Sequence, residues 1–313
     1  MSLTLNMVGG GGGGGLSATD ALLRVQAPAG ATVTITKGTT TKTDQGHENA
    51  DDNTLYDYYF IIHASQFDSI NPWSVVSTVD GIINTKNIVV NAPNEYNLIF
   101  KNRVPDGYQE VEYLATSGTT GAYLFTDFVL GENWFSGTTH FEIKLMFTAS
   151  TGAKDLFGAY TGTNTSTFNR VYIFYKISGN LYFGVGHESS GNGMWQSTSV
   201  SNNTEYVLQV DSSGMDLTYS KNGSVVATKT LTLQPPSDSS IAVFGSSNNG
   251  VVESTIDDTR IYYCVISKNG TMLLNLIPCY RTSDSEPGMY DRVAKVFYYN
   301  QGSQSFSVGG DVN

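Results

Sequence analysis

The residues of this chain best suited to chemistry are carboxylates, a few histidines and aromatic rings set in polar loops. Cleaving a glycosidic bond takes two carboxylates flanking it, which on one strand face means acids two or four positions apart. The nearest groupings are Glu253 with Asp257-Asp258, Glu110-Val111-Glu112 and Asp51-Asp52. Glu110 and Glu112 alternate onto one face, where solvent-facing acids are the ordinary reading. His47, His63, His140 and His187 are isolated, with no His-x-His, Glu-x-x-His or Cys-x-x-Cys spacing, so a zinc site is not expected. No Gly-x-Ser-x-Gly turn presents a nucleophile. No catalytic residue is expected, and the chain reads as a non-enzyme.

Sugar binding asks for something else: exposed rings that stack on a pyranose, beside amides and charges that meet its hydroxyls. Two loops offer both. Gly186 to Trp195 carries His187, Asn192 and Trp195, and Ala159 to Arg170 carries Tyr160, Asn169 and Arg170. These six residues are the candidate glycan site. Trp195 either stands outward or opens a strand and packs inward, and the sequence leaves both open. Tyr56, Tyr58, Tyr59 and Phe60 straddle a sheet rather than form a platform.

Strands must position these groups, because no long segment carries apolar residues at helical spacing. The chain holds 19 Tyr and 33 Gly but only 14% charged residues, a balance that suits many short strands and tight turns. The expected class is all-β: a small immunoglobulin-like sandwich followed by a larger jelly-roll sandwich. Residues 17–101 form the first unit, with strands at Ala21–Gln26, Ala31–Lys37, Tyr56–Ala64, Lys86–Asn91 and Tyr96–Lys101. Residues 102–107 are a linker, and 108–313 are dense in hairpin signals, among them Asn222-Gly223 and Asn269-Gly270.

Net charge is 17 − 28 = −11 with no basic cluster, so a phosphate backbone is repelled and nucleic acid is not an expected partner. No stretch approaches the roughly 18 apolar residues of a membrane span, and membrane insertion is not expected. Met1 to Val8 lacks the basic start and apolar run of a secretion signal, so either the protein is assembled in a cytoplasm or a signal segment has been removed. An Asn-Gly hairpin register sets Cys264 opposite Asn275. Cys279 then lies about 13 Å further along the same face, too far for a disulfide. Both are expected to be free thiols.

Gly9 to Gly15 is an unbroken glycine tract behind Leu3-Thr4-Leu5-Asn6-Met7-Val8. It satisfies Gly-x-Gly-x-x-Gly trivially, with no buried strand before it and no helix after it. Two readings stand: a flexible linker, or an attachment arm, residues 1–16, that offers Leu3, Leu5 and Val8 to a partner's groove or sheet edge.

Two resemblances add to this. The strand Ala21–Gln26, the turn Ala27-Pro28-Ala29-Gly30 and the strand Ala31–Lys37 resemble the small β-sandwich repeats of the PEGA type. Val104-Pro105-Asp106-Gly107-Tyr108-Gln109-Glu110-Val111-Glu112-Tyr113-Leu114 with Thr116-Ser117-Gly118-Thr119 resembles the opening of concanavalin-like (laminin-G-like) jelly rolls of phage and gut-bacterial surface proteins. Arg260–Cys264, Leu276–Tyr280, Gly288–Asp291 and Val296–Asn300 resemble its close. The resemblance implies a phage virion protein, in tail, baseplate or fibre, assembled in the host cytoplasm and displaying the jelly roll to a host-surface glycan. It implies a homo-oligomer, a trimer, joined to other virion proteins through the arm. An architectural spacer and a bacterial adhesin are the alternatives. Related jelly rolls sometimes hold calcium, for which Asp257 and Asp258 are the weak candidates against a reading as strand-edge charge; no other cofactor is implied. If the arm is the anchor, deleting residues 1–16 should leave the melting temperature unchanged and abolish incorporation into particles. Normal incorporation in a particle assay would leave the linker reading.

Overall fold

The computed structural model describes residues 18–44, 46–48, 55–79, 81–100, 103–116, 118, 121–130, 133–149, 154–161, 169–187, 193–232, 239–248 and 250–312. The chain divides into two compact units, one ending at Lys101 and one spanning Asn102–Val312. Both are built of strands, and among the described residues the helical content is a single 3-10 turn, Ala64–Gln66. The protein is all-β.

The first unit holds β1 (Ala21–Pro28), β2 (Thr32–Lys37), β3 (Thr40–Asp44), β4 (His47–Glu48), β5 (Leu55–Ile62), β6 (Trp73–Val79), β7 (Ile82–Ile88) and β8 (Glu95–Ile99). They make two sheets, ordered β4-β5-β1-β8 and β3-β2-β6-β7. Period-two alternation turns Leu23, Val25, Val33, Ile35, Tyr58, Phe60, Trp73 and Val75 into one core. The buried Tyr58 hydroxyl donates to the Ala31 carbonyl at 2.7 Å, so this ring costs no unpaired polar group. Tyr59 faces outward, and the tyrosine run straddles its sheet as expected. β6 is not among the strands expected above, although Trp73, Val75 and Val79 alternate cleanly inward. The parallel pairing of β8 on β1 is also new, because parallel contacts leave no turn signal.

The second unit starts with β9 (Tyr108–Glu110), β10 (Leu114–Ala115), β11 (Leu124–Val129), β12 (Thr138–Phe147) and β13 (Lys154–Thr161). It continues with β14 (Asn169–Ile177), β15 (Asn180–His187), β16 (Met194–Ser199), β17 (Glu205–Ser213), β18 (Asp216–Lys221), β19 (Ser224–Thr230) and β20 (Ser240–Val243). β21 (Gly245–Asn248), β22 (Val251–Thr255), β23 (Thr259–Lys268), β24 (Thr271–Arg281), β25 (Glu286–Asp291), β26 (Val296–Tyr299) and β27 (Ser307–Val308) complete it.

The larger sheet runs β19-β18-β17-β12-β23-β24-β25-β26, and the smaller β11-β20-β13-β14-β15-β16. A single core lies between them, a jelly-roll sandwich. Its centre is aromatic. Phe141 of the larger sheet stacks on Phe174 of the smaller at 5.2 Å, and Phe183 of the smaller meets Tyr219 of the larger at 5.2 Å.

Local chemistry explains the turns and two departures from expectation. Asn269 and Gly270 both take positive φ, 50° and 75°, as an Asn-Gly hairpin turn requires. A bulge between Ile266 and Ser267 then slips the register by one, so Cys264 faces Leu276 and not Asn275. The slip turns Cys264 into the sandwich core and leaves Cys279 on the other side of the sheet, both buried as free thiols. Residues 103–107, read as a linker, carry packing of the second unit. Val104 is buried, and Arg103 donates from Nε and Nη2 to Glu110 Oε1 at 2.9 and 2.6 Å. Glu110, expected to face solvent, is 1% exposed, because a buried carboxylate is tolerable once paired and hydrogen-bonded.

Tyr219 is the opposite case. Its hydroxyl is buried in the aromatic core without a hydrogen-bond partner, and burial pushes its pKa up. An unpaired buried hydroxyl costs free energy that phenylalanine would not incur. Tyr219→Phe should therefore leave stability unchanged or raise it by up to about 1 kcal/mol in urea unfolding. A loss above that would mean the hydroxyl has a stabilising role.

Candidate functional site

The smaller sheet ends at β16, an edge strand paired only with β15 in the sheet order. Leu181, Phe183 and Val185 of β15 and Met194 of β16 are core residues. Alternation then sends Tyr182 and Trp195 to the solvent side. Trp195 is 37% exposed, and its ring stacks on Tyr182 with centroids 5.6 Å apart and planes 24° from parallel. Across the ladder Trp195 faces Gly184, and Tyr182 faces Ser197, so the pair is a diagonal one over a strand position without a side chain. The inward packing left open for Trp195 is thus taken by its neighbour Met194. Two hydrogen bonds hold the C-terminal end of β16. Val200 N–H donates to Gly179 O at 2.8 Å, and Lys221 Nζ donates to Ser199 O at 2.6 Å.

The other five candidates are distributed unevenly. Tyr160 is 9% exposed, so its ring is buried and not presented as a platform. Register pairs Tyr160 with Arg170, Arg170 with Gly186 and Asn169 with His187, two or three positions beyond Gly184 on adjoining strands. The backbone positions of Tyr160, Asn169, Arg170 and His187 therefore gather at the strand end that carries Trp195. Asn192 lies outside the described residues, as do the side chains of Asn169, Arg170 and His187. The arm, with Leu3, Leu5, Val8, Gly9 and Gly15, also lies outside them.

Asp257 and Asp258, the calcium candidates, form a turn and not an exposed strand edge, with Asp257 Oδ1 buried without a hydrogen-bond partner. Asp258 Oδ1 accepts from Gly118 N–H at 2.9 Å, and Thr148 N–H donates to Asp258 O at 2.7 Å. The cation facing both is Lys176, 1% exposed, whose Nζ donates to Ala149 O at 2.8 Å and sits 4.7 Å from the Phe147 ring centroid. Burial lowers the Lys176 pKa, and the two aspartates pull it back up. Among the described residues no three His, Cys, Asp or Glu side chains group as metal ligands.

Two groupings escaped the sequence reading. On the solvent side of the larger sheet, His140 is not isolated: Nδ1 lies 2.7 Å from Asp211 Oδ1 and Nε2 3.7 Å from Glu142 Oε2. Glu142 also accepts from the Tyr263 hydroxyl at 2.6 Å and Gln209 Nε2 at 2.7 Å. Burial first, then Glu142, pushes the Tyr263 pKa up. The signal was His140-x-Glu142-x-Lys144, which is one strand face, but its partners come from β17 and β23. With Glu142 held by two donors, this network ties three strands together. The second grouping is aromatic. Phe297 and Tyr299 of β26 lie near-parallel, 25° apart with centroids 6.4 Å apart, and Tyr108 packs on Phe297 at 5.1 Å.

No protein-family model matches the chain, and no curated protein matches it. Solved structures with which it shares folded regions include the Ruminococcus gnavus IT-sialidase CBM40, at 11% identity, TM-score 0.34, over 50% of this chain and 90% of that one. The Caenorhabditis elegans galectin LEC-6 is similar at 13% identity, TM-score 0.30, over 49% and 95%. The alginate lyase from Corynebacterium sp. is similar at 12% identity, TM-score 0.26, over 76% and 94%. Likeness this distant carries no argument about ligand or reaction. The side chains must carry it.

Because Trp195 stands on the solvent side of an edge strand and is only partly covered, Trp195→Ala should cost less than about 1 kcal/mol of stability. A larger loss in urea unfolding would mark the ring as structural.

Proposed function

We propose that this protein is a non-enzymatic glycan-binding component of a phage virion, with the second sandwich as the binding unit. The observation that carries the glycan reading is the Trp195–Tyr182 pair. A large ring exposed on a strand, stacked on a second ring and raised over Gly184, presents an apolar plane at little entropic cost because its partner already limits its rotation. Sugar rings offer matching apolar faces, and polar groups around the plane can meet the hydroxyls. Ser197 stands beside it on the same side of β16, and the backbone of Asn169, Arg170 and His187 occupies positions on the adjoining strands.

The non-enzymatic reading rests on how the acids are used. Glu110 is locked to Arg103, Glu142 to Tyr263 and Gln209, and Asp258 to Gly118, so each of these carboxylates is committed to holding strands or turns. The virion context rests on the resemblance of the opening and closing segments of the second unit and on the glycine arm. Virion display of several copies would add weak sites through avidity.

Trp195→Ala should weaken attachment to host cells by about 2 kcal/mol per site, roughly thirtyfold, with the melting temperature preserved. Unchanged attachment by a folded variant, measured on whole cells, would favour the architectural spacer.

A further inference from the structure

We infer that the second unit carries another glycan platform, Phe297 with Tyr299 on the larger sheet, so that one chain holds two sugar ligands on opposite sides of its sandwich. The inference rests on the glycan reading of Trp195 and extends it. Tyr298 and Met289 are core residues, so alternation sends Phe297 and Tyr299 of β26 and Gly288 of β25 to the solvent side. Gly288 is the floor. A Cβ there would stand 2.7 Å from the Phe297 ring and 2.2 Å from Tyr298 O, so the ring lies directly on bare backbone. Tyr299 faces Gly288 across the ladder and is 47% exposed. The arrangement repeats that of Trp195: an exposed ring opposite a glycine, nearly parallel to a second ring, on the last strand of its sheet's main order.

The rim is polar and fixed. Arg281 stands over Phe297 at 5.6 Å from the ring centroid and is clamped by Asp284 through Nε to Oδ1 at 3.0 Å and Nη2 to Oδ2 at 2.6 Å. Glu286 lies opposite Arg281 on β25. Tyr108 wedges between Tyr290 at 5.2 Å and Phe297 at 5.1 Å, which stops the shelf from collapsing. The surface is too small for a protein partner. Of its two rings only Tyr299 is largely exposed, far short of the roughly 800 Å² per partner of a stable interface. A shelf one or two rings wide with hydrogen-bonding groups at its end suits a pyranose.

The two platforms lie on the solvent sides of different sheets with the aromatic core between them. A short oligosaccharide cannot reach both. One chain then binds two ligands and bridges separate glycan strands.

The test is native electrophoresis through gels cast with soluble mannan, dextran or galactan, followed by calorimetry with an oligosaccharide of whichever polymer retards the protein. Trp195→Ala, Tyr299→Ala, Phe297→Ala and the double variant of Trp195 and Tyr299 are compared, with melting temperatures as the check on folding. Two ligands per chain are expected, falling to one in either single variant and to none in the double. If Tyr299→Ala and Phe297→Ala both keep the wild-type stoichiometry while Trp195→Ala loses binding, the second platform is overturned and the first stands. If only the Tyr299 variant loses binding, the Trp195 reading fails and this one survives. If no polymer retards the wild type and attachment to host cells is also unaffected by either substitution, both are overturned.

Discussion

The aromatic contact between the two sheets is the constraint on which the second unit depends. Phe141 meets Phe157 and Phe174 across the sandwich, and Phe183 meets Tyr219. Rings of this size bury far more apolar area than the valines and alanines around them, so their positions fix which side of each strand is inside. Every exposed group then follows by counting twos along the strand. Phe183 inside puts Tyr182 outside, and Met194 inside puts Trp195 outside. A shift of one residue in β16 would bury the tryptophan and expose the methionine. The directions of these rings are therefore set by core packing on the reverse side of the same strands.

The polar groups follow a second logic, that of committed partners. Arg103 and Glu110 tie the entrance of the second unit to β9, and Arg24 and Asp57 make a similar two-pronged contact on the first sandwich at 3.0 and 2.9 Å. Lys176 brings a positive charge into a nearly closed site, where a carbonyl, a ring face and two aspartates compensate it. Such groups add geometric definition to a fold whose burial alone would tolerate slippage.

Much of this was legible in the sequence, for physical reasons. Asn-Gly pairs admit few backbone shapes, so Asn222-Gly223 and Asn269-Gly270 read as hairpins, and both take positive φ at each residue. Period-two runs such as Ala21–Gln26 and Val33 to Ile35 announced strands. The Cys264 register differs from expectation because a bulge opposite Ile266 and Ser267 puts one extra residue, Leu273, into β24 without any turn-type signal. Glu110 and His140 were misread for a common reason. Their partners, Arg103 for Glu110 and Asp211 for His140, are set by the fold, which one-dimensional spacing does not encode. Trp195 was identifiable as a candidate, but its direction became known only once Met194 was seen in the core.

The two thiols carry a consequence of another kind. Cys264 and Cys279 are both fully buried, Cys264 in the apolar core, and burial holds both pKa values above their ordinary range. Thiolate is the species that attacks disulfides and is oxidised, and here it scarcely exists while the sheets are closed. The slipped register also keeps the two sulfurs on different sides of one sheet, so neither can turn to the other. The folded chain is in effect blind to the redox state of its surroundings, and it can pass from a reducing to an oxidising medium without any covalent change at its cysteines.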